Sequence, residues 1–177
     1  MTFDRRSLVL GLPLAVVAGE SLAQAQADKK NILYLDLKDG RVTIQLRPDL
    51  APKHVEQIKT LTRQGFYDGI VFHRVIEGFM AQTGDPTGTG MGGSNEPDIP
   101  AEFSSAHFGR GAVGAARTQD PNSANSQFFI MFADGGFLDG EYTVWGQVDE
   151  AGMACVDKIE RGEPPAKPDQ MMKVTVQ

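Results

Sequence analysis

The run Phe72-His73-Arg74-Val75-Ile76-Glu77-Gly78-Phe79-Met80-Ala81-Gln82-Thr83-Gly84 sets an arginine inside an apolar, strand-like stretch. A glycine turn follows, then a second apolar stretch carrying one glutamine. A guanidinium is rarely buried without a partner, so Arg74 constrains what can surround it. Phe72, Phe79 and Met80 lie close in sequence and supply walls for an apolar pocket. A cation at the lip of such a pocket suits a ligand that is apolar with one weak polar atom, as proline is.

The rest of the chain reads as one β-rich domain. Ile32 to Lys38 and Arg41 to Leu46 flank Asp39-Gly40, a strong hairpin signal. Val42, Ile44 and Leu46 alternate with Thr43, Gln45 and Arg47, so one face of that strand is buried. Pro52 opens a helix, Val55, Ile58 and Leu61 recur at helical spacing, and Gly65 ends it. Further strands are expected at Ile70 to Arg74, Phe79 to Gly84, Ala112 to Arg117, Ser126 to Phe132 and Thr143 to Val148. A second helix is expected from Gly152 to Arg161, with Met153, Val156 and Ile159 on one face and Gly162 as its stop. Pro164, Pro165 and Pro168 make a loop, and Lys173 to Val176 is a closing strand. Many short strands with frequent turns indicate a barrel or sandwich.

Composition narrows the function. The 177 residues are 41% hydrophobic and 23% charged, as in a soluble domain with its own core. The net charge is −6 with no basic stripe, which argues against nucleic acid as a partner. One cysteine, Cys155, leaves no intramolecular disulfide, and His54, His73 and His107 lack metal-ligand spacing. Residues 1–27 read as a cleavable export signal. Arg5 and Arg6 form a positive n-region, Leu8 to Ala18 is a short apolar segment, and Ala25-Gln26-Ala27 is a small-residue cleavage site. The apolar run is too short to span a bilayer, so stable membrane insertion is not expected and the mature domain is residues 28–177, a periplasmic protein. The paired arginines hint at twin-arginine export, although the flanking residues depart from that pattern.

Ser126-Gln127-Phe128-Phe129-Ile130 is the second informative stretch. In a strand, Gln127, Phe129 and Met131 share one face, and Phe128 points away into the core. Phe137-Leu138-Asp139-Gly140 places another apolar pair before a turn. These blocks, with Phe72-His73-Arg74-Val75-Ile76 and Phe79-Met80-Ala81-Gln82, resemble the signature blocks of the cyclophilins, the peptidyl-prolyl cis-trans isomerases. The order and spacing match from about Lys30 to Val176, and Ala115 to Pro121 is similar to the exported bacterial branch. The resemblance implies a mainly β fold: a closed eight-stranded antiparallel β-barrel capped by two helices. It implies that Arg74 is catalytic and that Phe79, Met80, Phe129 and Leu138 wall a proline pocket. It also implies that Gln82, Gln127 and the backbone around Ala116 and Arg117 hold the peptide. Phe137 stands where many members have tryptophan, and Tyr142 where many have histidine. Both departures are similar to bacterial members that remain isomerases, and they imply weak cyclosporin binding rather than lost catalysis.

The implied reaction is a bond rotation, so it requires no nucleophile, metal or cofactor. Taken alone, Arg74 reads as a surface ion-pair residue, a reading the four blocks reverse. His73 reads as a packed structural residue, His54 and His107 as surface residues, and Cys155 as a buried thiol. Gly88-Thr89-Gly90-Met91-Gly92-Gly93 reads as a turn, because it lacks the ending and context of a phosphate loop. Two functions follow. One is a monomeric enzyme isomerising X–Pro bonds in exported proteins during folding. The other is a chaperone module that grips proline-containing segments without needing turnover.

Overall fold

Alternation dictates the first hairpin of the computed structural model, which describes residues 30–177. The expected export segment, residues 1–27, lies outside the described residues. Strands β1 (Ile32–Leu37) and β2 (Gly40–Leu46) pair antiparallel, with Leu33 opposite Ile44 and Leu35 opposite Val42. These four side chains face the core together with Leu37 and Leu46. The turn is Lys38-Asp39, one residue earlier than the Asp39-Gly40 signal suggests, because Gly40 already pairs with Leu37. Gly40 has φ +134°, and a Cβ there would lie 2.9 Å from Cys155 Sγ. Conformation and space thus both require glycine.

Helix α1 (Pro52–Arg63) follows, with its stripe of Val55, Ile58 and Leu61 buried as expected. Its N-cap, Ala51, offers no capping side chain. Glu102, far along the chain, substitutes: its carboxylate accepts from the Lys53 N–H at 3.1 Å and the His54 N–H at 3.0 Å. The same carboxylate lies 2.6 Å from His54 Nδ1. His54 is therefore not a surface residue; it is 2% exposed. It stands four positions before Ile58, on the buried side of the helix, a spacing the sequence displays.

Six more strands complete the sheet: β3 (Arg74–Ile76), β4 (Met80–Thr83), β5 (Ala112–Ala115), β6 (Phe128–Met131), β7 (Val144–Val148) and β8 (Lys173–Val176). They run antiparallel in the order β3-β4-β6-β5-β7-β2-β1-β8. The expected closure of the barrel does not occur: β3 and β8 are the two ends of an open, curled sheet. The segment before β8 lies against the β3 edge instead, through isolated bridges Val71–Gln170 and Val75–Gly162. Pro164, Pro165 and Pro168 lie between those bridges and have no N–H to donate, so no continuous ladder forms there. For the same reason the expected strand at Ile70 to Arg74 begins only at Arg74, although Ile70 and Phe72 are buried.

Helix α2 (Glu150–Val156) is shorter than the Gly152–Arg161 expectation. It starts earlier because Asp149 caps it, accepting from the Gly152 N–H at 2.6 Å. It ends earlier because Lys158 and Ile159 donate to Cys155 and Val156, tightening the chain into a turn. Gly162 is not a helix stop; it bridges Val75. Cys155 is half-buried rather than buried.

Strand β6 is buried on both faces. Phe128 and Ile130 join the main core, where Phe128 meets Tyr67 and Trp145 edge to face. Phe129 and Met131 join a second cluster with Met80, Phe108, Ala112, Leu138 and Val144. Phe72 belongs to the main core, not to the pocket beside Arg74. His73 is buried, as expected of a packed residue, and both its ring nitrogens lack a partner. His107 is 53% exposed yet not partnerless: Asp139 lies 2.7 Å from Nδ1 and Asp134 3.0 Å from Nε2. No helix among the described residues is long and apolar enough to cross a membrane.

The three imidazoles should titrate apart. Hydrogen bonds to Asp139 and then Asp134 raise the His107 pKa. Burial lowers those of His54 and His73, in His54 against the opposing pull of Glu102. A neutral His54 donates Nδ1–H to Glu102 and leaves Nε2 a bare acceptor, whereas an imidazolium would bury an unpartnered N–H. Charged His107 thus stabilises the fold below the ordinary histidine value of about 6.5, and that contribution disappears as pH rises through its higher folded value. His54 and His73 have the opposite sign: their contribution is present above about 6.5 and is lost as pH falls through their lower folded values. An NMR titration should show one ring above the ordinary value and two below; three coincident curves would contradict the packing. Glu102→Ala removes a helix cap and the His54 partner together, and should cost about 2–4 kcal/mol in chemical denaturation. Glu102→Gln, which keeps an acceptor oxygen, should cost less; an unchanged midpoint for both would refute the capping role.

Candidate active site

The register of the sheet brings the site together. Arg74 on β3 pairs with Gln82 on β4, Gln82 with Phe129 on β6, and Phe129 with Gly114 on β5. This transverse row runs from a cation through an amide to an aromatic ring. At its far end, a Cβ on Gly114 would come within 2.5 Å of the Phe129 ring and 2.6 Å of Phe108, so glycine leaves room for the two rings to stack.

Around the row lies a cavity of about 600 Å³. Arg74, Gln82 and Arg117 line it with polar groups, and Phe79, Met80, Ala116, Phe129, Phe137, Leu138 and Tyr142 line it with apolar ones. Ten of the eleven residues expected at the site thus meet in one concavity. The eleventh, Gln127, lines an adjoining cavity of about 330 Å³ that shares Gln82, Ala116 and Arg117 with the first. Sequence reading missed Glu141, which also lines the larger cavity.

The floor is buried and the rim is exposed. Met80, Phe129 and Leu138 are buried in the second apolar cluster. Phe137 and Leu138 ride on a 3-10 turn, Gly136–Leu138. Phe137 is 71% exposed and packs its ring 5.5 Å from that of Phe79. Asp134 and Asp139 hold this turn from both sides, accepting from the Gly136 N–H at 2.9 Å and the Phe108 N–H at 2.8 Å while contacting His107.

A chain of amides orders the polar side. Arg74 Nη1 donates to Gln82 Oε1 at 3.4 Å, and Gln82 Nε2 donates to Gln127 Oε1 at 3.0 Å. Gln127 Nε2 in turn donates to the Gly90 and Gly92 carbonyls at 3.0 and 2.8 Å. The cation fixes which end of each amide is oxygen, because a guanidinium can only donate. The glycine-rich loop is thus a turn with a purpose: its carbonyls anchor the chain of amides. Asp85 shapes that loop. Burial opposes its charge, but hydrogen bonds from the Thr87 hydroxyl and from the Thr87, Gly92 and Gly90 N–H groups outweigh it and hold the carboxyl at about 2.

The Arg117 side chain is occupied elsewhere. It donates to the Thr118 and Glu141 carbonyls at 2.9 and 2.8 Å and lies 4.3 Å from the centre of the Tyr142 ring. Arg74 makes an exposed ion pair, Nε to Glu163 Oε1 at 2.7 Å, and lines the cavity as well. The surface and pocket readings of that residue are therefore both satisfied. Glu163 was missed in sequence, where it is only an acidic residue before a proline. Among the described residues, no cluster of three or more His, Cys, Asp or Glu side chains is placed to hold a metal ion. An apolar concavity with the Arg74 guanidinium at its lip, and the Arg117 side chain tied to backbone carbonyls, fits a ligand that is mostly hydrocarbon with one amide.

Comparison with known proteins agrees with this geometry. The profile of the family described as cyclophilin type peptidyl-prolyl cis-trans isomerase/CLD matches residues 32–176. A probable peptidyl-prolyl cis-trans isomerase of Brucella suis is 51% identical, over 100% of this chain and 98% of that one. A peptidyl-prolyl cis-trans isomerase-like 1 of Aspergillus oryzae is 39% identical, over 70% of this chain and 78% of that one. The crystal structure of a cyclophilin from Hirschia baltica superposes with a TM-score of 0.78 at 30% identity, covering 84% of this chain and 74% of that one. That of a Cryptosporidium parvum cyclophilin, determined in the presence of the dipeptide Ala-Pro, gives 0.75 at 25% identity, covering 82% and 98%. With its matching blocks in register across the curled sheet, the chain belongs to the cyclophilin-type peptidyl-prolyl cis-trans isomerases.

Proposed function

We propose that this isomerase acts on X–Pro bonds of proteins exported to the bacterial periplasm, and that Arg74 stabilises the twisted amide without covalent chemistry. One observation carries the reading: a guanidinium stands at the lip of an apolar cavity large enough for a prolyl ring, with its Nε and Nη1 already engaged by Glu163 and Gln82. The structure of a related cyclophilin in the presence of Ala-Pro supports proline as the occupant. The reading includes weak cyclosporin binding, since Phe137 has no indole N–H to donate, and a monomeric protein.

The barrier to the reaction is amide resonance, about 18–20 kcal/mol. X–Pro bonds populate both isomers and exchange uncatalysed in tens to hundreds of seconds. A site accelerates exchange by binding the twisted amide better than either planar form. Phe79, Met80, Phe129 and Leu138 seat the ring and remove water from the bond, which disfavours the charge-separated resonance form. Twisting makes the prolyl nitrogen pyramidal and a better acceptor. The Arg74 guanidinium gains a charge-assisted hydrogen bond to it only in that geometry. Such a bond contributes roughly 1.5–3 kcal/mol, about one to two decades in rate. Desolvation and positioning supply the rest.

Arg74→Ala should therefore lower kcat about 10- to 100-fold, with KM changed much less, in a protease-coupled assay on a short X–Pro peptide. Arg74→Lys should also be poor, because an ammonium cannot reproduce the planar fork held by Glu163 and Gln82. Weaker binding with unchanged turnover at saturation would make Arg74 a gripping residue and favour the chaperone reading. For the export half, the native protein should be recovered from the envelope with Asp28 at or near its N-terminus. N-terminal sequencing that finds Met1 in the cytoplasm would overturn it. Lysine at positions 5 and 6 would abolish export only if the route is the twin-arginine one.

A further inference from the structure

We propose that Glu163 is a positioning residue for catalysis: it holds the Arg74 guanidinium in the orientation that presents its remaining corner to the substrate amide. The inference rests on the role proposed above for Arg74.

The backbone places the pair. Val75 and Gly162 exchange both hydrogen bonds, N–H to carbonyl at 2.8 Å in each direction. In this antiparallel bridge the residue before Val75 stands opposite the residue after Gly162, so Arg74 faces Glu163 across the sheet edge. Gly162 has φ +147°, and a Cβ there would lie 2.5 Å from Pro165 Cα, so only glycine lets the loop fold back to make the bridge. The contact spans 89 positions of sequence and is built by two backbone constraints, not by chance proximity of long side chains.

The side-chain geometry gives the consequence. Both partners are about half exposed, and an exposed ion pair contributes little to stability. What it supplies is order. The guanidinium is planar, with donors in a fixed fork. Glu163 takes Nε at 2.7 Å, Gln82 takes Nη1 at 3.4 Å, and Nη2 has no protein hydrogen-bond partner among the described residues. A planar group held at two corners has its third corner fixed. The Gln82 contact is long, so Glu163 supplies the stronger of the two restraints. Without it, Arg74 samples the rotamers of an exposed side chain, and turnover falls with the fraction of time the competent one is populated.

The test uses the intact chain and a proline peptide. Glu163→Ala should lower kcat about five- to tenfold while KM changes less than about twofold. Glu163→Gln keeps an acceptor for Nε–H and should recover most of the loss. Combined with Arg74→Ala, neither substitution should lower kcat further, because there is no guanidinium left to position. In the wild type the Arg74 Nε–H should give a distinct NMR resonance, protected from exchange. That resonance should lose protection in Glu163→Ala, a change that a purely structural role for the loop would not produce while the melting curve is unmoved. Unchanged or faster turnover in Glu163→Ala, with Arg74→Ala still impaired, overturns this inference and leaves the role of Arg74 standing. Full turnover in Arg74→Ala overturns both.

Discussion

Burial of β6 on both faces is the constraint on which the rest of the structure depends. A four-residue strand with no solvent-facing side must satisfy two apolar environments at once. Phe128 and Ile130 fill the space under the sheet with Tyr67 and Trp145. Phe129 and Met131 point the opposite way and join the cluster with Met80 and Leu138. The same backbone that closes the core thereby builds the floor of the cavity. Interiors are close-packed, so a shift of β6 large enough to disturb one face is transmitted to the other. The position of the Phe129 ring is thus as well determined as that of a core residue, although it faces a cavity.

A second constraint is that the half-buried amides of Gln82 and Gln127 need hydrogen-bond partners. Gln82 and Gln127 sit between an arginine and a loop, and neither amide could turn over without facing a donor with a donor. The order is imposed from both ends: the guanidinium only donates, and the Gly90 and Gly92 carbonyls only accept. Asp85 fixes the loop that carries those carbonyls, so a carboxylate outside the cavity sets the direction of the dipoles inside it. Under the mechanism proposed above, preorganised dipoles of this kind would need no rearrangement as charge shifts along the substrate amide.

Which parts of this were legible in sequence follows from the range of the interactions. The β1–β2 hairpin was, because one face of β2 is core and the other solvent and the pattern alternates. The site row was, because β3 and β4 carry Arg74 and Gln82 in stretches joined by a short turn, and Phe129 stands in a strand with a polar marker beside it. The burial of His54 was visible in its four-residue spacing from Ile58, but a polar side chain alone does not announce its partner. Glu102 caps α1 from 48 and 49 positions away, and Glu163 reaches Arg74 over 89. No local period or turn chemistry encodes such contacts. The closed barrel came from resemblance, whereas the chain itself held the contrary signal in Pro164, Pro165 and Pro168.

That open edge and the site are connected. An edge strand exposes unpaired N–H and carbonyl groups and must be covered or charged to avoid pairing with other chains. Here β3 is only three residues long, bears Arg74, and is covered at Val75 by Gly162 of the proline-rich loop. A regular closing strand in that place would face Arg74 with a ladder. The loop instead needs only one two-bond bridge, which leaves its next residue free to turn a carboxylate toward the guanidinium. The proline segment that keeps the sheet from closing is therefore also what brings Glu163 to the cation. The interruption of the barrel and the ordering of Arg74 have one structural cause.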